Sequence, residues 1–317
     1  MPTWVWIIQF QLLVPIVVIL VGQVALLLTS ALYQTPQDGA SSLFIYIAFA
    51  ALATLLLAPA GPFIHRFTYH IPTFLLLVCI GTLIYDLIAF PFSRDHRLKL
   101  YFIQQVDLDA GSNTVSLTGL DEYVQKAISQ IPSAQGQQLN CTTPEVASRA
   151  NLVKCGWAGI PAHVAPKVAA PYSNKTYLET WLDYDVSGNN HSNEATIRVV
   201  GRNTRACRIL FDTPITDLVV DGAVSDPRFN ATGDNGSSEV RLWHREWSRP
   251  WNVSLTWDRE KTPSLSGKVV CLWSDANAGA IPAFDEVQHY LPKWAVATKY
   301  SDGLVEGFKR FTIYGEH

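Results

Sequence analysis

The sequence predicts a membrane protein in which three N-terminal transmembrane α-helices precede a β-rich, sandwich-like domain carrying one short helix. Two observations predict it. Residues 1–92 hold only three formal charges, Asp38, Arg66 and Asp86, and the rest of the 24 basic and 27 acidic residues lie in 93–317. Hydropathy changes at the same place, from long unbroken apolar runs to short alternating ones. The chain therefore divides into a transmembrane domain, 1–92, and a polar domain, 93–317. A net charge of -3 without a long basic run leaves no electrostatic footprint for nucleic acid, which is excluded as a partner.

Residues 4–32 contain no ionisable side chain, and a bilayer core of ~30 Å needs about 20 apolar residues in a helix. A signal peptide would start basic and have a shorter apolar core. A second apolar stretch, 43–60, stops at Gly61-Pro62, and a third, 71–90, stops at Pro91. Each is expected to span. Pro15 predicts a kink in the first helix, and Asp86 is the single acid within an expected span. An intramembrane carboxylate raises a transport or sensing role, but its place near the helix exit favours an interfacial, hydrogen-bonded aspartate.

In the polar domain, runs at 98–108, 114–117, 196–200, 206–211, 217–220, 239–247, 252–257, 268–273 and 308–314 have strand character and are bounded by turn residues. Many short strands predict a sandwich. One helix is expected after Thr118, which would cap it, with Leu120, Val124 and Ile128 on one face and Pro132 beyond.

Six of the twelve asparagines in 93–317 head Asn-x-Ser/Thr triplets: Asn140, Asn174, Asn190, Asn230, Asn235 and Asn252. Chance gives about two at average composition. Asn140 is the weakest, with Cys141 in the middle position. Four cysteines, Cys141, Cys155, Cys207 and Cys271, lie in the same domain, and an even set suggests two disulfides. Three pairings are open; locality favours Cys141 with Cys155 and Cys207 with Cys271. Glycan acceptors and disulfides together imply a lumenal domain and a cytosolic N-terminus. The basic residues after the third apolar stretch, Arg94, Arg97 and Lys99, point the other way, but long domains translocate largely regardless of flanking charge.

No HExxH, GxSxG, GxxxxGK[ST] or GxGxxG motif is present, so no catalytic residue, metal ligand or cofactor-binding residue is assigned. The sharpest polar cluster is Arg241–Trp247. On a strand, His244 and Glu246 would share one face, imaginable as a metal pair, and Arg241, Trp243, Arg245 and Trp247 the other, as stacked cation–π pairs. Trp243, His244, Glu246 and Trp247 thus form a possible binding platform for a glycan or peptide, with plain structural stacking as the alternative.

The runs Val115–Gly119, Asn203–Asp212, Arg241–Trp247, Val269–Asn277 and Asp302–Phe311 resemble the C-terminal region of the fungal vacuolar membrane proteases. That family is related to the endoplasmic-reticulum metallopeptidases and resembles zinc aminopeptidases in its catalytic domain. The resemblance covers the family's last helices and its lumenal C-terminal domain, and no residue here corresponds to a zinc ligand or catalytic acid. It implies a multi-pass protein of the vacuolar membrane whose partners are membrane lipid and a peptidase domain in cis or trans, with zinc held in that domain. The expected function is the non-catalytic portion of a zinc metallopeptidase; a stand-alone lumenal glycan- or peptide-binding module is the alternative.

Overall fold

A computed structural model describes residues 3–39, 42–59, 61, 63, 70–143, 152–164, 178–188, 193–224, 228, 232–233, 235–258, 263–300 and 302–314. Three helices come first: α1 (Thr3–Leu32), α2 (Ser42–Leu57) and α3 (His70–Ile88). They correct the expectation of three spans. Among the described residues, only the segment Trp4–Asp38 is long and apolar enough to cross a membrane, and none of its most apolar window is buried in the protein. Leu43–Leu57 and Pro72–Ile88 are apolar helices of fewer than 18 residues. The α-helices are shorter than the apolar runs: α2 ends at Leu57, two residues before Pro59, and α3, with Pro72 in its first turn, ends at Ile88 before Pro91. Pro15 lies inside α1, and Asp86 and the free Cys79 are exposed on α3.

The polar domain contains β1 (Leu98–Asp107), β2 (Ser112–Gly119), α4 (Asp121–Ile128), β3 (Asn140–Thr142), β4 (Val153–Trp157), β5 (Leu182–Gly188), β6 (Glu194–Gly201) and β7 (Ala206–Ile215). There follow β8 (Asp217–Val220), β9 (Ser237–Trp243), β10 (Trp251–Thr256), β11 (Ser264–Trp273), α5 (Pro282–Tyr290), β12 (Ala295–Lys299) and β13 (Val305–Tyr314). A nine-stranded mixed sheet runs β3-β4-β2-β1-β13-β11-β7-β9, with β12 also paired to β1. A four-stranded antiparallel sheet runs β5-β6-β10-β8. Alternating residues such as Ile197 and Val199, Cys207 and Ile209, Val253 and Leu255, and Val269 and Cys271 are buried in one core.

The short helix exists, but Thr118 does not cap it. Thr118 is buried in β2 and Leu120 precedes α4 without a side-chain cap. Val124, Ala127 and Ile128 are the buried face of α4, and Phe284 of α5 meets Phe102 of β1 edge-on at 5.1 Å. The two helices thereby cover the β1 side of the larger sheet.

The helices and the polar domain meet at two places. Beyond α3, Phe90 packs against Trp294 at 5.1 Å and Phe92 against Tyr123 at 4.9 Å. Beyond α1, the turn Thr35–Asp38 lies on β1: buried Gln37 accepts the Lys99 amide N–H through Oε1 at 3.0 Å, and the Tyr101 hydroxyl donates to Asp38. The C-terminal end of α1 therefore lies on the same side as the polar domain.

Candidate functional site: a tryptophan-walled cleft

Of the eight tryptophans after Ser93, Trp157, Trp181, Trp251, Trp257 and Trp273 are buried and Trp294 is half-buried. Trp243 and Trp247 are 66% and 61% exposed. Both face one cleft of about 1080 Å³ at the β7–β9 end of the larger sheet, closed by the loops after β11 and β12. Large exposed rings forfeit the burial energy that normally places tryptophan inside, so two of them sharing one concavity is a feature of a recognition surface.

The local structure that carries Trp247 is over-determined. Asn203 and Ser248 are the two non-glycine residues with left-handed backbone among the described residues, with φ of 51° and 56°. They are tied together: the Asn203 N–H donates to Ser248 Oγ at 2.9 Å, and the Ser248 N–H donates to the Thr204 carbonyl at 3.1 Å. Such conformations cost energy and persist where the surroundings hold them. Between them, Arg205 stacks its guanidinium over the Trp247 ring at 4.5 Å. Below, buried Thr204 donates to the Leu272 carbonyl and Trp273 Nε1 donates to the Arg202 carbonyl at 2.9 Å. Cys207 and Cys271 face each other across β7 and β11 and form a disulfide beneath this loop. A Cβ at Gly201 would lie 2.4 Å from Thr204 Cγ2 and 2.9 Å from Cys271 Sγ, so only glycine lets the two come so close.

The cleft is lined by Arg205, Arg208, Arg241 and Lys299 against Asp275 and Asp302. Arg208 and Arg241 are partly neutralised. Arg208 pairs with Glu306, which also accepts from Gln105 Nε2 at 3.0 Å, and Arg241 Nε donates to Glu239 at 3.1 Å. Glu239, with Asp302 further off, holds Arg241 protonated even more firmly than an ordinary guanidinium. Among the described residues, Arg205 and Lys299 have no carboxylate within ion-pair distance.

The expected platform is rearranged. β9 ends at Trp243, so His244–Trp247 is a loop and the alternation of faces stops there. His244 stacks on Trp251 at 5.5 Å, and Glu246 pairs with Arg249 at 3.4 Å. They do not come together as a metal pair. Arg205, from a distant part of the sequence, takes the stacking place expected of Arg245. Among the described residues no three His, Cys, Asp or Glu side chains converge, so the residues present do not fit a zinc site and no step through zinc is derived.

The second disulfide joins Cys141 and Cys155, directly opposed on β3 and β4 at the far end of the sheet. Of the asparagines heading Asn-x-Ser/Thr triplets, Asn140, Asn235 and Asn252 are exposed. Asn174, Asn190 and Asn230 lie outside the described residues. Three further carboxylates accept hydrogen bonds from neighbouring residues: Glu286 from the Ser133 N–H at 3.0 Å, Asp285 from the Gly279 N–H at 2.7 Å and Asp121 from Gln125.

Known proteins place this architecture. Residues 98–306 match the profile of the vacuolar membrane protease C-terminal domain, and residues 1–71 that of its transmembrane domain. A vacuolar membrane protease of Pyrenophora tritici-repentis is 68% identical over 315 residues, covering 99% of this chain and 33% of the relative. One from Aspergillus fumigatus is 51% identical over 320 residues, covering 99% and 32%. The chain spans about a third of the length of the curated relatives it matches. Among solved structures, the yeast delta-COP-I mu-homology domain complexed with Dsl1 WxWxV peptide covers 68% of this chain and 94% of its own, at 10% identity and a TM-score of 0.22, too low to bear on the fold. Two profiles that together account for most of the chain, and relatives matching it over nearly its whole length, show that it belongs to the vacuolar membrane protease family.

Proposed function

We propose that this chain is the membrane-anchored, lumenal, non-hydrolytic portion of a vacuolar membrane zinc metallopeptidase, and that its polar domain recognises rather than cleaves. The cleft carries this reading: it offers stacking faces and fixed cations, the means of binding, on a loop held in shape by a disulfide. Peptide hydrolysis and zinc belong, in this proposal, to a peptidase domain acting in cis or trans. The exposed acceptors Asn140, Asn235 and Asn252 and the two disulfides support a lumenal, glycosylated surface. Because the α1 exit and the polar domain share a side, a lumenal domain combined with one crossing by α1 puts the N-terminus in the cytosol. Membrane lipid is then the partner of its exposed apolar surface.

The test is enzymatic. Purified chain incubated with zinc and aminopeptidase substrates is expected to match a no-enzyme blank, and metal-dependent turnover would overturn the proposal. Digestion with an endoglycosidase is expected to increase gel mobility; an unchanged band refutes the lumenal placement.

A further inference from the structure

We infer that the pocket between loop 93–97 and the start of β12 holds the phosphate of an anionic phospholipid headgroup on Arg94, Arg97 and Lys293. The inference rests on the reading that α1 crosses the membrane, and it names the lipid chemistry met where α1 leaves the bilayer. Three observations carry it.

The first is place. Tyr33, the residue after α1, meets His96 edge-on at 5.5 Å, and His96 lies between Arg94 and Arg97 in the chain. Arg94 follows the exposed Phe90 by four residues and so lies within ~14 Å of it. Just before Phe90, α3 presents Ile84, Leu87 and Ile88, all exposed and apolar. Phe90 and Phe92 cluster with Tyr123 and Trp294, and Lys126 lies over the Phe90 ring at 5.0 Å. Aromatic rings beside cations, at the exit of an apolar helix, belong to the headgroup layer of a bilayer.

The second is charge. Arg94, Arg97 and Lys293 line a pocket of about 390 Å³ together with Gln288 and apolar residues, and among the described residues no carboxylate lines it. None of the three cations has a carboxylate within ion-pair distance among the described residues. Asp95, adjacent in the chain, does not line the pocket. The acids of the neighbouring elements are engaged elsewhere: Asp38 with Lys99 and Tyr101, Glu286 with Ser133, and Asp285 with Gly279. An anion offsets the repulsion among three such cations, and phosphate accepts several charge-assisted hydrogen bonds at once.

The third is a donor set already in place. The Ser93 N–H donates to the His96 carbonyl and the His96 N–H to Ser93 Oγ, both at 3.1 Å, which closes the loop on itself. Arg97 Nε donates to the Arg94 carbonyl at 2.9 Å, leaving the Nη groups of Arg97 without a hydrogen bond among the described residues. The Leu98 N–H donates to the Trp294 carbonyl at 2.8 Å and so sets Arg97 beside Lys293. A guanidinium with its outer nitrogens free is the planar fork that grips phosphate.

Native mass spectrometry of the full chain tests this, with the protein released from nonionic detergent micelles containing phosphatidylglycerol, phosphatidylcholine or inorganic phosphate. One phosphatidylglycerol is expected to be retained at concentrations about tenfold or more below those needed for phosphatidylcholine, whose phosphate is neutralised by its own ammonium. Arg94→Gln combined with Arg97→Gln and Lys293→Gln, all exposed positions, is expected to erase that preference, with the lipid-free thermal midpoint unchanged. Equal retention of the two lipids, a persisting preference in the folded triple variant, or inorganic phosphate bound as tightly as phosphatidylglycerol would each overturn the headgroup site. Release of the chain from membranes by alkaline carbonate would overturn the crossing by α1, whereas a chain that stays in the membrane and shows no lipid preference overturns the site alone.

Discussion

Breaking the two disulfides separately gives unequal losses of stability, and their loop lengths set the order. Cys207 and Cys271 are 64 residues apart in sequence, Cys141 and Cys155 only 14. A cross-link restricts the unfolded chain roughly as the logarithm of the loop it closes, which gives ~4 kcal/mol for the longer loop and ~3 kcal/mol for the shorter at 25 °C. Both Cys207 and Cys271 are also buried in the core, so their loss opens space there, whereas Cys141 is exposed. Urea unfolding of the detergent-solubilised protein, followed by tryptophan emission, is therefore expected to show Cys207→Ala with Cys271→Ala losing at least ~1 kcal/mol more than Cys141→Ala with Cys155→Ala. The buried Trp181 and Trp273, 5.4 Å apart, report on the core. The two pairs should differ in a second way. Gly201 lies against the Cys207–Cys271 bridge, so its removal loosens the cleft, while the Cys141–Cys155 pair lies at the other end of the sheet. A larger loss from the Cys141 pair would refute this reasoning.

Gly201→Val places a branched side chain against Thr204 and the bridge sulfurs and is expected to cost about 1–3 kcal/mol, read as a lowered urea midpoint. Asp107 gives a pH dependence. Burial pushes its pKa up, but the Ala110 N–H, Arg310 Nη1 at 2.6 Å and the Asp109 N–H outweigh this and hold it below the ordinary value of 3.8. A lowered folded-state pKa contributes stability above the unfolded value that is lost as pH falls through the folded one. Wild type is thus expected to be more stable than Asp107→Asn above pH 4, by ~1–2 kcal/mol, with the gap narrowing as the pH drops below it. Gln37→Ala leaves the Lys99 N–H without its acceptor, and hydrogen exchange at that amide is expected to quicken about tenfold, corresponding to ~1.4 kcal/mol. Asn252→Gln is expected to remove one glycan-sized step on a gel, since Asn252 is exposed on β10.

The strands with clear alternation were legible in the residues: β1, β6, β7, β10, β11 and β13 lie where period-two or wholly apolar runs occur. The strands β3, β4, β5 and β12 were not anticipated, and α5 was also missed. β3 is three exposed residues long, too short for periodicity to register, and β5 buries only its first residue fully. The expected strand 239–247 is correct through Trp243 and fails beyond it, because Ser248 turns the chain and local alternation carries no information about that turn. Of the cleft, Trp243 and Trp247 were visible as candidates and Arg205 and Lys299 were not. Nothing adjacent in sequence marks those two, and they reach the tryptophans only through the β7–β9 pairing and the end of β12.

By itself, the sequence determined where the apolar part ends, that the remainder is built from strands, which cysteines and asparagines belong to that remainder, and the family. These follow from composition, periodicity and local residue strings, all of which survive in one dimension. Tertiary structure decided that among the described residues a single helix is long and apolar enough to cross, that cysteines 64 residues apart are direct neighbours across β7 and β11, and that cations from β7, β9, β12 and the turn before β7 line one tryptophan-walled cleft. Those outcomes depend on where each helix ends and on strand register, where a shift of one residue would turn every side chain to the opposite face.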